Sequence, residues 1–104
     1  MADDVELTMV TMVFDSSDAE RLLSILAKYV VLSRGHPGCR NIDLCAFATE
    51  PGRFVIVQKW ESPESQQAHF DSPDMVEMAS ACTGLLARPP AIDLLETISA
   101  HDLH

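Results

Sequence analysis

Basic residues are scarce in this chain. Only 7 lysines and arginines stand against 16 aspartates and glutamates, for a formal net charge of −9 at pH 7. The few present, such as Arg21, Arg53 and Arg88, are scattered, so no basic stripe exists to neutralise phosphates. That speaks against nucleic acid as a partner, and an anionic membrane surface would repel the chain. Long apolar runs are missing too. None approaches the roughly 20 residues of a membrane span. The opening MADDVEL is acidic and lacks the charged-then-apolar build of a secretory signal. Cysteine is sparse. Cys39, Cys45 and Cys82 form an odd, widely spaced set with no C-x-x-C pair. This pattern fits free thiols in a reducing cytoplasm rather than a disulfide framework, and it offers no structural zinc or other metal site.

What is present is a globular pattern. Of the 104 residues, 47% are hydrophobic, which suits one domain spanning residues 1–104. A domain of this size buries only about 65% of the surface its unfolded chain exposes. Pairing of two copies would enlarge so small a core.

VELTMVTMVF, from Val5 to Phe14, reads as a first strand. DSSDAERLL follows with a capping box, Ser17 at the cap and Glu20 reaching back to it. Leu22, Ile25, Leu26, Tyr29 and Val30 then recur at helical spacing, and RGHPG stops that helix after Ser33. CRNIDLCAFAT, Cys39 to Thr49, alternates as a second strand. FVIVQKWE, Phe54 to Glu61, is a third. A short loop over Glu50 to Arg53 would join them as a hairpin.

That loop sets an expected register in which Phe47 opposes Ile56, Cys45 opposes Gln58 and Asp43 opposes Trp60. One face then gathers Asn41, Asp43, Cys45, Phe47, Ile56, Gln58 and Trp60, polar groups set among large apolar ones as in a ligand pocket. Ser62-Pro63 and Ser72-Pro73 each read as an N-cap followed by proline at the first helical position. Two helices follow, about 63–70 and 73–86. The second carries a core stripe of Met75, Met78, Ala79, Cys82, Leu85 and Leu86. AIDLLETIS, Ala91 to Ser99, is a fourth strand. The order predicts an α+β, ferredoxin-like antiparallel sheet with helices on one face. Its open face would carry Trp60, Phe47 and Ile56, and a second subunit would cover it.

HPGC before the second strand, FVIVQKWES in the third and SQQAHFDSPDM beyond it resemble the antibiotic biosynthesis monooxygenase domain. The resemblance runs from about Val5 to Ser99. It implies a dimeric α+β barrel and oxidation of a small aromatic (a phenol, anthrone or hydroquinone) by O2, with no cofactor. The family's strand tryptophan matches Trp60 and its histidine matches His69. Where some catalytic members carry an asparagine and an arginine, this sequence has Ile56 and a residue near Met78. MVEMASACTG lacks the histidine with which haem-degrading relatives hold iron. The chemistry implied is simple. A deprotonated phenol or anthrone is itself the one-electron donor that triplet O2 needs, so the protein has only to hold it, take a proton and stabilise the anion.

Each candidate has a plainer alternative. Trp60 lines a substrate pocket, or it packs in the core or a dimer interface. His69 is a general base titrating near 6.5, or a helix residue satisfied by solvent or a carbonyl. Asp43 is a catalytic carboxylate raised by burial, or it sits at a solvated rim. Asn41, Cys45, Phe47, Ile56 and Gln58 contact substrate if the hairpin face is the pocket; otherwise Cys45 is a small apolar filler. His36 reads as a solvent-facing loop residue, and His101 and His104 as a frayed tail. A non-catalytic binding barrel of the stress-response type, or a barrel isomerase or decarboxylase, stays open beside the oxygenase.

Overall fold

The computed structural model describes residues 6–100. Val5, His101 and His104 lie outside the described residues. In β1 (Thr8–Asp15), Thr8, Val10, Met12 and Phe14 are buried and the residues between them are half-buried. This is the period-two pattern of a strand with one packed face. β3 (Arg53–Trp60) repeats it with Phe54, Ile56, Gln58 and Trp60. The two pair antiparallel, Met12 opposite Ile56 and Phe14 opposite Phe54. β2 (Cys39–Ala46) lies along β3, and β4 (Ala91–Glu96) along β1, in the sheet order β2-β3-β1-β4. Helices α1 (Ala19–Ser33), α2 (Pro63–Phe70) and α3 (Pro73–Ala81) complete the expected ferredoxin-like α+β arrangement.

The helix starts follow capping chemistry. Ser62 and Ser72 accept the N–H groups of Ser65 at 3.1 Å and Met75 at 3.3 Å. Pro63 and Pro73 stand next, where no hydrogen bond is lost. α1 departs from expectation. Its cap is Asp18, accepting from the Arg21 N–H at 3.3 Å, while Ser17 gives its own N–H to the Leu85 carbonyl at 2.9 Å. α3 is shorter than expected, because Gly84 adopts a φ of 81° and turns the chain away before Leu85. Ala79, expected on the core stripe, is exposed, and Met75, Met78 and Cys82 carry the packing. They meet Leu22, Leu26, Tyr29 and Val30 of α1 over Val10, Met12, Ile56 and Trp60 of the sheet. Each large apolar side chain sealed this way contributes about 1.5–3 kcal/mol.

The β2–β3 register corrects the expected one. β2 stops at Ala46, and the turn runs from Phe47 to Gly52, closed by the Phe47 N–H donating to the Arg53 carbonyl at 3.0 Å. Arg53 braces this longer turn. Its guanidinium lies 4.6 Å from the centre of the Phe47 ring and 2.9 Å from the Glu50 carboxylate. Ile42 therefore opposes Gln58, Leu44 opposes Ile56, Asp43 opposes Val57 and Cys45 opposes Val55. The offset from the expected pairing is odd, and an odd slip sends every side chain to the other face. Asn41, Asp43 and Cys45 thus share the open face with Val55, Val57 and Lys59, not with Trp60. Trp60 and Ile56, expected on the open face, are 0% exposed beneath the helices.

Candidate functional site

Three separate segments converge on the end of β3. α2 starts directly after Trp60 and folds back, laying the His69 imidazole on the indole. The ring centroids are 4.5 Å apart, with an interplanar angle of 29°. The loop before β2 is pinned by the Glu61 N–H donating to the Gly38 carbonyl at 2.8 Å. Gly38 has a φ of 81°, and a Cβ there would lie 2.5 Å from Ser65 Oγ. Only glycine lets this loop rest on the first turn of α2. The same loop carries His36 to within 2.8 Å of His69, Nδ1 to Nδ1. Asp74, in the first turn of α3, meets His36 Nε2 at 2.7 Å.

These groups form one hydrogen-bonded chain, and its direction follows from its ends. An indole N–H only donates, so Trp60 Nε1 gives its hydrogen to Gln58 Oε1 at 2.9 Å. The Gln58 amide nitrogen then donates to the Tyr29 oxygen at 2.8 Å, and it also approaches Met12 Sδ at 3.3 Å. The Tyr29 O–H is left to donate to His69 Nε2 at 2.5 Å. A neutral imidazole accepting at Nε2 carries its hydrogen on Nδ1. His69 Nδ1–H therefore donates to His36 Nδ1, and His36 Nε2–H donates to Asp74 Oδ2. Every donor meets an acceptor from the core to the carboxylate, which is what makes so polar a buried string tolerable.

Burial sets the protonation states. It is the main cause pushing the Tyr29 hydroxyl up to about 12, with the Gln58 bond pulling the other way. It likewise lowers His69 to about 4, reinforced by neighbouring His36 and opposed by Asp74. His69 is thus neutral at physiological pH, with both ring nitrogens engaged. The expected free base near 6.5 is not what the fold builds.

Two openings reach the chain. A groove of about 130 Å³ between α1 and α3 is lined by Ile25, Leu32, Met78 and Ala81, with Tyr29 and Asp74 among its walls. Lys28 and Glu77 line it too and form an exposed ion pair at 3.1 Å. A cleft of about 290 Å³ touches His36, Ser65, Ala68, His69 and Ser72.

Of the candidates named from sequence, Trp60, Gln58 and His69 come together, and Ile56 belongs to the same packed face. Asp43 and Asn41 instead hydrogen-bond to each other at 2.9 Å on the exposed surface. Cys45 is exposed, and Phe47 sits in the turn. Tyr29, His36 and Asp74 were not singled out from sequence as site residues. Tyr29 has the spacing of a core residue and Asp74 that of a first-turn acid. His36, read as solvent-facing, is bound on both sides. Among the described residues, no group of three or more His, Cys, Asp or Glu could hold a metal ion, and no helix is long and apolar enough to cross a membrane.

Comparison with known proteins agrees with this fold. A family model described as antibiotic biosynthesis monooxygenase matches residues 7–81. Uncharacterized protein sll1783 of Synechocystis is 24% identical over 84 residues, covering 81% of this chain. The match spans only 57% of that relative's length. The structure of Rv0793 from Mycobacterium tuberculosis is similar with a TM-score of 0.80 at 24% identity, over 91% of this chain and 97% of that one. PA3566 from Pseudomonas aeruginosa gives 0.79 at 22%, over 91% and 96%. SO0527 from Shewanella oneidensis gives 0.84 at 18%, over 91% and 94%. At such identities the structural likeness speaks for the fold alone. The family match covers most of the chain, which belongs to the antibiotic biosynthesis monooxygenase family.

Proposed function

We propose that this protein oxidises a small phenol or hydroquinone with O2 without a bound cofactor, holding the substrate in the groove between α1 and α3. The observation that carries this reading is the contact between an apolar groove and the far end of the directed hydrogen-bonded chain, at Asp74. An aromatic ring lies against Ile25, Leu32 and Met78. Its hydroxyl donates to the Asp74 carboxylate, which His36 holds in place. Pockets for drug-sized ligands run to roughly 300–1,000 Å³, so a groove of about 130 Å³ favours one ring over a tricyclic anthrone.

Asp74 takes the phenolic proton. The phenolate passes one electron to O2, giving an aryloxyl radical and superoxide. Their recombination forms a C–O bond and a peroxide anion, which the Asp74 proton neutralises. Loss of water, with the ring hydrogen leaving as a proton, yields the quinone. A phenol and O2 thus become a quinone and water. In this reading Trp60, Gln58 and His69 position the chain and do not touch substrate.

Oxygen uptake by dialysed, metal-stripped protein offered phenols, hydroquinones and anthrones tests the proposal. Uptake above autoxidation, with quinone formed and the rate lost in Asp74→Asn, is the expected result. One observation favours a second reading, a non-catalytic binding barrel: Trp60 and Gln58 are 0% and 1% exposed, so neither side chain meets a ligand directly. Saturable binding without oxygen uptake would decide for it.

We also propose a homodimer, with the protein working as one domain in the cytoplasm, where its three thiols stay free. Ile92, Leu94 and Leu95 of β4 and Ile98 beyond it are exposed, an apolar edge suited to a second copy.

A further inference from the structure

The geometry points to Tyr29 as a one-electron redox site, a tyrosine whose oxidation to a neutral phenoxyl radical is coupled to proton movement through His69 and His36 to Asp74. This goes beyond the oxygenase reading and does not depend on it. Removing an electron from a phenol makes its O–H strongly acidic. Such an oxidation is practical only where a base accepts the proton at once. Tyr29 has one, with His69 Nε2 at 2.5 Å along the hydroxyl.

The step balances within the chain. Tyr29 gives one electron to the oxidant and its proton to His69 Nε2. The His69 Nδ1 hydrogen moves to His36 Nδ1, and the His36 Nε2 hydrogen moves to Asp74 Oδ2. The starting state is a phenol and a carboxylate. The end state is a phenoxyl radical and a carboxylic acid, with both imidazoles neutral again in the opposite tautomers. The buried segment never acquires a lasting charge, which the interior would penalise heavily. The proton stops at Asp74, a half-exposed residue at the surface, and returns by the same path on reduction.

Trp60 is built differently. Its N–H faces an amide oxygen, which is no base at neutral pH, so an indole radical cation finds no proton acceptor. A hole formed there is passed on. The His69 ring bridges the two aromatics, 4.5 Å from the Trp60 centroid and 5.5 Å from that of Tyr29. The oxidant class that fits is a one-electron oxidant such as an aryloxyl radical.

The chain has 1 Tyr and 1 Trp, so any aromatic radical is assignable without ambiguity. The test is flash photolysis of the whole protein with a photogenerated ruthenium(III) polypyridyl oxidant, without aromatic substrate or O2, read by transient absorption and electron paramagnetic resonance. The expected result is a tyrosyl spectrum that rises more slowly in D2O than in H2O. It is lost in Tyr29→Phe and slowed or lost in Asp74→Asn, a surface change that spares the buried packing. A radical on Trp60 alone, no aromatic radical, or a tyrosyl whose rise ignores both D2O and Asp74→Asn would overturn the proposal. Because substrate and O2 are absent, failure here leaves the oxygenase reading untouched, and failed oxygen uptake leaves this one standing.

Discussion

The Tyr29 hydroxyl donates to His69 Nε2 across 2.5 Å, and that bond joins α1 to α2 in the middle of the core. Around it, Gln58 and Trp60 are satisfied on one side and His36 and Asp74 on the other. Stability, protonation and the proposed chemistry all turn on it.

Tyr29→Phe keeps the ring but leaves the Gln58 amide and His69 Nε2 without their partner. Stranding buried polar groups costs about 1–3 kcal/mol each. Urea denaturation should show a lower midpoint with an unchanged slope. A midpoint equal to the parent's would mean the bond carries no net stability.

His69 gives the protein an acid-sensitive stability. Its folded pKa, about 4, lies below the unfolded value of 6.5. The unfolded chain therefore binds more protons between those values, and stability falls as pH falls through that window. Above pH 6.5 the contribution is complete. Toward pH 4 the loss reaches about 3 kcal/mol, at 1.36 kcal/mol per pH unit. Denaturation midpoints measured across that range should decline in the parent and flatten in His69→Gln.

Gly38→Ala and Gly84→Ala form a matched pair. Both glycines have a φ of 81°, where a side chain costs about 1–2 kcal/mol by itself. At Gly84 an added Cβ meets nothing within 4 Å, whereas at Gly38 it drives into Ser65. Gly38→Ala should therefore lower the melting temperature more, and it should also raise the His69 pKa seen by NMR as His36 moves off His69. Equal losses in the two variants would remove the packing role assigned to Gly38.

Asp43→Ala should be silent. Asp43 is exposed and its carboxylate accepts from the Asn41 amide, and surface changes of this kind stay within about 0.5 kcal/mol. Oxygen uptake should fall in Asp74→Asn and hold in Asp43→Ala. The reverse pattern would move the site to the open face of the sheet.

Leu94→Glu places a charge on the exposed apolar edge of β4. Sedimentation should show the variant as monomers at concentrations where the parent pairs. A parent that is itself monomeric would remove the proposed dimer.

Local chemistry made most of the fold legible. Ser62-Pro63 and Ser72-Pro73 announce their helices because caps and prolines act within one turn. The strands declare themselves through alternation. The hairpin faces were not legible, because the turn is longer than its Glu50-to-Arg53 signal suggests, with Arg53 reaching back to Phe47 and Glu50, and an odd change in length inverts a strand. The site was half legible. Trp60 and His69 lie close in sequence and carry the family's pattern. Tyr29 keeps the spacing of Leu22, Leu26 and Val30, so nothing local separates it from core. His36 looks like any loop histidine until Gly38 seats that loop on α2. Contacts between residues this far apart leave no periodic trace.

Trp60 stacks on His69, and it is the protein's single indole. Intrinsic fluorescence therefore reports from inside the hydrogen-bonded chain and nowhere else. An imidazolium quenches a stacked indole where a neutral ring does so poorly. Emission should dim as His69 takes a proton, and it should shift if a ligand in the groove disturbs the relay. The protein carries its own optical probe at the place where one would be engineered.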